Sequence, residues 1–118
     1  MQLCSINAVE SDAIAFAVSE TTFCNQQTGA PETMIIRIAT DQAKARGQLD
    51  IPVYLPAANN FKSASHFEML NLFKNGDPFV AVEFYNLLIH LSKDGYYYGL
   101  AQSFSVVTQP YERLEELL

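Results

Sequence analysis

Residues able to do chemistry concentrate at one place in this chain, Lys93-Asp94-Gly95-Tyr96-Tyr97-Tyr98-Gly99, where three phenol rings follow a tight turn. A strand tyrosine either fills a core or stands as a flat stacking platform, and both roles favour that residue type. Asp-Gly between two alternating apolar runs predicts a two-residue hairpin tip, because a type I′ turn needs positive φ at both central positions. That turn sets Lys93 opposite Tyr96, Ser92 opposite Tyr97 and Leu91 opposite Tyr98. Side chains alternate across a strand, so Tyr96 and Tyr98 share one face and Tyr97 takes the other. At least one ring is therefore expected outside the core.

Elsewhere the reactive inventory is thin. Cys4, Cys24, His66 and His90 lack the short ligand spacing of zinc sites, so no metal or other cofactor is expected. His66, in a first helical turn, reads as an ordinary surface residue. The chain has no nucleophile motif, glycine-rich phosphate loop or paired-carboxylate signature, which points away from an enzyme. Glu10, Asp12 and Glu83 are the residues a magnesium-dependent nuclease would draw on, but carboxylates at a strand bend and mid-strand are usually solvated.

The bulk numbers narrow the partners. At 118 residues, 49% hydrophobic and 17% charged, the chain fits one globular domain with its own core. A formal charge of −6 argues against coating nucleic acid by charge alone. Charge is uneven, however: residues 37–74 hold five basic side chains (Arg37, Lys44, Arg46, Lys62, Lys74) against three acidic ones, so the acidity lies mostly at the two ends. No apolar run approaches the roughly 20 residues of a spanning helix, and the start lacks a basic region followed by an apolar block. A cytoplasmic protein with free thiols and no membrane contact is the expectation.

The elements that must position these residues follow from periodicity. Cys4, Ile6 and Ala8, then Ile14, Phe16 and Val18, keep one even-numbered phase. This is either one long bent strand or a tight hairpin, and the unbroken phase favours the bent strand. A polar loop spans Thr21 to Pro31. Met34, Ile36 and Ile38 form a second strand with Arg37 opposite, and residues 41–48 a loop carrying Lys44 and Arg46. Ile51, Val53 and Leu55 form the third strand, with Tyr54 turned the other way and Pro52 marking an edge. Ser65-His66-Phe67-Glu68 reads as a capping box opening a helix over about 66–75, with Phe67, Leu70 and Phe73 as its apolar stripe. Asn75-Gly76 and Pro78 stop it. Residues 79–91 and 96–107 are two further strands joined by the Asp-Gly hairpin.

Strand, strand, strand, helix, strand, strand is the layout of the OB-fold, so the expected class is mainly β: a five-stranded OB-fold Greek-key barrel with one short helix between strands 3 and 4. At this point the chain resembles single-stranded-DNA-binding OB-fold proteins, including the small ones of phages, plasmids and conjugative elements. The resemblance covers roughly residues 3–107. It rests on element order, on Gly76-Asp77-Pro78-Phe79-Val80-Ala81-Val82 entering the fourth strand, and on Ala101-Gln102-Ser103-Phe104-Ser105-Val106-Val107 closing the fifth. It implies a ligand face on strands 2 and 3 and on the loops joining strands 1 to 2 and 4 to 5. Arg37, Lys44, Arg46, Tyr54, Lys93, Tyr96, Tyr97 and Tyr98 would then line it. The implied partner is single-stranded DNA, or RNA, bound without sequence preference by stacking bases on rings beside a small basic patch.

The domain is expected over 1–109, with a short acidic tail over 110–118. Tyr111, Leu114, Leu117 and Leu118 of that tail would pack on the barrel, join a homo-oligomer or recruit a protein partner. The tail is similar in charge and hydrophobic end to those of bacterial single-stranded-DNA-binding proteins, but it lacks their long linker and Asp-rich run ending in Pro-Phe. The alternative reading is a small β-barrel protein–protein interaction or assembly module, with the tyrosines as interface anchors.

Overall fold

A computed structural model describes residues 2–3, 11–40, 44–45 and 47–107. Among these residues seven strands run in chain order: β1 (Gln2–Leu3), β2 (Ser11–Cys24), β3 (Pro31–Ala39), β4 (Ile51–Pro56), β5 (Val80–Leu91), β6 (Tyr97–Leu100) and β7 (Ser103–Val106). Two helices, α1 (Ala57–Asn60) and α2 (Ala64–Lys74), lie between β4 and β5. Strands β2, β3, β4, β6 and β5 are hydrogen-bonded in that order and β5 returns to β2, which closes a five-stranded barrel. The β4–β6 pair is parallel and the other barrel pairs are antiparallel. This is the Greek-key barrel of the OB-fold expected from the sequence, with the helical segment between the third and fourth barrel strands. No helix among the described residues is long and apolar enough to cross a membrane.

Met34, Ile36 and Ile38 of β3 and Ile51, Val53 and Leu55 of β4 fill the interior with Phe84, Leu87 and Ile89 of β5. The β2 strand departs from its expected phase. Its inward residues are Ala13, Ala15 and Ala17, not Ile14, Phe16 and Val18. The register shows why small residues serve there: Ala13 pairs with Phe84, Ala15 with Val82 and Ala17 with Val80, so each methyl leaves space for a larger neighbour. Ile14 and Phe16 instead form a second cluster with Ala81 and Val107. A bulge between Ala17 and Ser19 then reverses the phase, bringing Glu20 and Thr22 opposite the buried Ile36 and Met34. At the start of the chain β1 lies parallel to β2, Gln2 beside Ala13 and Leu3 beside Ile14. Cys4, Ile6 and Ala8, on which the choice between bent strand and hairpin rests, lie outside the described residues. Beyond Thr21 the strand persists to Cys24, and the loop is confined to residues 25–30, where Asn25 Oδ1 accepts from the amides of Gln27 and Thr28.

Helix α2 closes one end of the barrel. Its cap is Ser63, whose hydroxyl accepts from His66 N at 3.1 Å, so the helix starts two residues before the expected capping box. Its inward side is His66 and Met69 with Phe73 packed beside them, while Phe67 and Leu70 are exposed, so of the expected stripe only Phe73 meets the core. His66 is therefore no surface residue. Its Nδ1 accepts from Lys62 N at 2.9 Å, and Nε2 lies 3.2 Å from Glu20 Oε2 without the alignment of a hydrogen bond. The β2 bulge is what turns Glu20 toward it. The stop is as expected: Gly76 adopts φ +97 and donates to Phe73 O, and Asp77 N donates to Leu72 O.

The fifth barrel strand is broken into β6 and β7. At the corner, Ala101 N donates to Tyr54 O and Gln102 N to Tyr85 O. Asn60 of α1, itself buried, donates to Pro56 O and Gln102 O, tying the helical segment to that corner. On β5, Asn86 takes φ +56 at a bulge, its backbone N–H donating to Asp12 Oδ1 at 3.2 Å. Pro52 sits where expected, since the parallel pairing of β4 with β6 spans only Val53 and Tyr54. Residues Cys4, Glu10, Arg46, Tyr111, Leu114, Leu117 and Leu118, and the division at residue 110, lie outside the described residues.

Candidate nucleic-acid interface

Strand alternation places the outward row. With Ile36 and Ile38 inside, Arg37 points out from β3 and pairs with Pro52 of β4. Two residues on, Tyr54 pairs with Leu100 of β6, and on the same face Tyr98 pairs with His90 of β5. The row Arg37, Pro52, Tyr54, Leu100, Tyr98, His90 thus crosses four strands on one side of the barrel. His90 and Tyr98 stack with ring centroids 5.1 Å apart and 18° between planes, which holds the Tyr98 ring in place. No local pattern marks His90, since its place beside Tyr98 depends on hairpin register.

The hairpin tip differs from the two-residue turn expected. Leu91 pairs with Tyr97 and His90 with Tyr98, one residue out from the predicted register. Ser92 N donates to Tyr96 O at 2.7 Å and Gly95 N to Ser92 O at 3.1 Å, so Lys93-Asp94-Gly95 form a three-residue loop. Only Gly95 takes positive φ, +87, which is a type I turn followed by a glycine bulge and spares Asp94 the left-handed conformation. Tyr97 consequently turns inward and is 5% exposed in the core, whereas Tyr96 is 64% exposed and Tyr98 half-buried. Of three candidate rings on the tip, two remain available at the surface.

The loop before β4 supplies the other wall. Gly47, at φ +80, donates to Lys44 O and delivers Gln48 to the barrel. Gln48 Oε1 accepts from Tyr97 N at 2.9 Å while Nε2 donates to Tyr97 O at 2.9 Å and to Asp50 O at 2.8 Å. One side-chain amide therefore behaves like an added strand residue beside β6, just past the end of the β4–β6 ladder. Leu49 is left 90% exposed at the rim.

Together these elements enclose an open groove of about 850 Å³, walled by Arg37, Leu49, Asp50, Tyr54, Tyr96, Tyr98 and Leu100. Of the expected residues, Arg37, Tyr54, Tyr96 and Tyr98 come together there. Tyr97 borders the groove but its ring belongs to the core. Lys44 and Lys93 are exposed and do not line it, and none of residues 25–30 does either. Among the described residues the charged ones lining it are Arg37 and Asp50, joined at 2.9 Å between Nη1 and Oδ1, with the side chains 47% and 26% exposed. The groove therefore offers rings, aliphatic edges and one nearly neutral ion pair.

Family models, curated proteins and solved structures were compared with this chain and none matches.

Proposed function

We propose that this chain is a non-enzymatic single-stranded-DNA-binding OB barrel, of the small kind found on phages, plasmids and conjugative elements. Bases stack on Tyr54, Tyr96 and Tyr98, beside Arg37. The observation that carries this reading is the gathering of three accessible tyrosines and one guanidinium in a single open groove on the barrel face. Stacking on an aromatic ring contributes about 1–3 kcal/mol per base whatever the base, so three rings support sequence-tolerant binding with few cations. Fluorescence anisotropy with labelled oligo-dT at two salt concentrations tests it. Binding at low salt that weakens only shallowly with added salt is expected, and no binding by the folded protein at low salt removes the reading. Parallel titration with oligo-U reads the preference between DNA and RNA.

A second reading, a β-barrel interaction module, draws on Leu49 and Leu100 standing exposed on the rim of an acidic protein. The rings would then anchor a protein partner or a second copy. Size-exclusion mass measurement of the full chain and of residues 1–109 separates the two. Loss of assembly on truncation with DNA binding intact assigns residues 110–118 to oligomerisation, and a monomer in both cases counts against a second copy as the partner.

A further inference from the structure

We propose that Arg37 and Asp50 act as one donor–acceptor couple that reads the edge of a single base, that guanine is the base it fits, and that Asp50 keeps phosphate away from Arg37. The inference rests on the nucleic-acid reading of the groove and adds a preference at one position to otherwise tolerant stacking.

A cation that clamps phosphate should stand free, yet Arg37 is held by Asp50 at 2.9 Å, and both line the groove. Their charges nearly cancel, so a phosphate gains little by approaching and meets a carboxylate where it does. The pair is not closed to ligands. A guanidinium has five N–H donors and the Arg37–Asp50 contact uses one, while the carboxylate retains lone pairs. Gln48 does not compete for them, because its amide is engaged with the Tyr97 backbone and with the main-chain carbonyl of Asp50. Arg37 is opposite Pro52, two residues from Tyr54 on the same strand face, so a base stacked on Tyr54 lies beside the couple and turns an edge toward it.

The couple offers donors next to an acceptor that can take two hydrogens. Guanine matches this best: its O6 accepts from the guanidinium while N1–H and the N2 amino group donate together to the carboxylate. Thymine has one ring donor, and cytosine and adenine have a single exocyclic amino group. Inosine keeps O6 and N1–H but lacks the N2 amino group, and so isolates the contact assigned to Asp50.

The test is anisotropy with three labelled oligonucleotides of equal length: alternating dT and dG, the same sequence with inosine for every guanine, and dT alone. The wild-type protein should bind the guanine oligonucleotide roughly fivefold or more tighter than the other two. Asp50→Asn should erase the difference between guanine and inosine and tighten dT binding by freeing Arg37 for phosphate, with unfolding midpoints reporting that the variant is folded. Equal affinity of the wild type for guanine and inosine overturns the inference, as does a guanine preference that survives Asp50→Asn, or an equal weakening of all three oligonucleotides in the variant. Failure to bind any of the three at low salt would instead overturn the nucleic-acid reading, and this inference with it.

Discussion

Gln48 shows how one side chain sets the shape of the groove. Its amide makes two hydrogen bonds to the Tyr97 backbone and one to Asp50 O, so it fixes the loop that carries Leu49 and Asp50 against the strand that carries Tyr98. Truncation to alanine removes all three of these hydrogen bonds, and Gln48→Ala is expected to cost about 1–3 kcal/mol in urea unfolding. A cost near zero would mean that water replaces the amide freely. The partner of Gln48 is 49 residues away in sequence, and no local pattern could have exposed it. Arg37 and Tyr54 were legible for the opposite reason: each stands between buried neighbours in a strict two-residue alternation, which dictates an outward face. Tyr96, Tyr97 and Tyr98 were separable into two faces by alternation, but which face is inner depends on the turn. A three-residue loop with glycine at its last position puts Tyr97 inside.

At the level of elements, the fold was legible wherever periodicity ran unbroken and failed at bulges. The strands around Met34 to Ile38 and Ile51 to Leu55 carry one phase and pack as read. The first barrel strand carries two phases joined by the bulge near Val18, and hydrophobicity alone favoured the wrong one because the inward residues are alanines. The helix cap was displaced by a similar near-degeneracy, Ser63 and Ser65 both preceding the same apolar run. Ser63→Ala should lower stability by about 1 kcal/mol and Ser65→Ala by much less, measured by thermal or urea unfolding. The reverse order would restore the capping box at Ser65. The β4–β6 seam carries a further expectation. A Cβ built on Gly99 would sit 3.0 Å from Ile89 Cδ1, 3.1 Å from Val53 Cγ2 and 3.3 Å from Leu87 Cδ1. Glycine here serves close packing of the barrel wall, and Gly99→Val is expected to destabilise by about 1–3 kcal/mol through overpacking. Unchanged stability would mean that the interior has room to relax.

Across the whole molecule, charge and shape divide the work. The barrel is closed by β-pairing on all sides of its interior, with α2 as a plug, so the strands that wall the groove are held by the barrel itself. A formal charge of −6 gives no general attraction to nucleic acid, and among the described residues the one cation lining the groove, Arg37, is already paired to a carboxylate. On the proposed reading, binding under these conditions is carried by rings. If one to two phosphates are neutralised in all, log K against log salt should have a slope of about −0.7 to −1.4, as for a single strand releasing so few counterions. A slope several times steeper would mean that exposed lysines outside the groove, such as Lys44 and Lys93, provide the contacts.

The most direct measurement uses the absence of tryptophan, which leaves tyrosine as the chain's emitting side chain. Titrating the protein with oligo-dT at low salt should quench tyrosine emission saturably, and Tyr54→Leu, Tyr96→Leu and Tyr98→Leu combined should abolish most of the quenching while weakening binding at least a hundredfold. A folded triple variant that binds oligo-dT as tightly as the wild type would contradict stacking in the groove as the source of affinity.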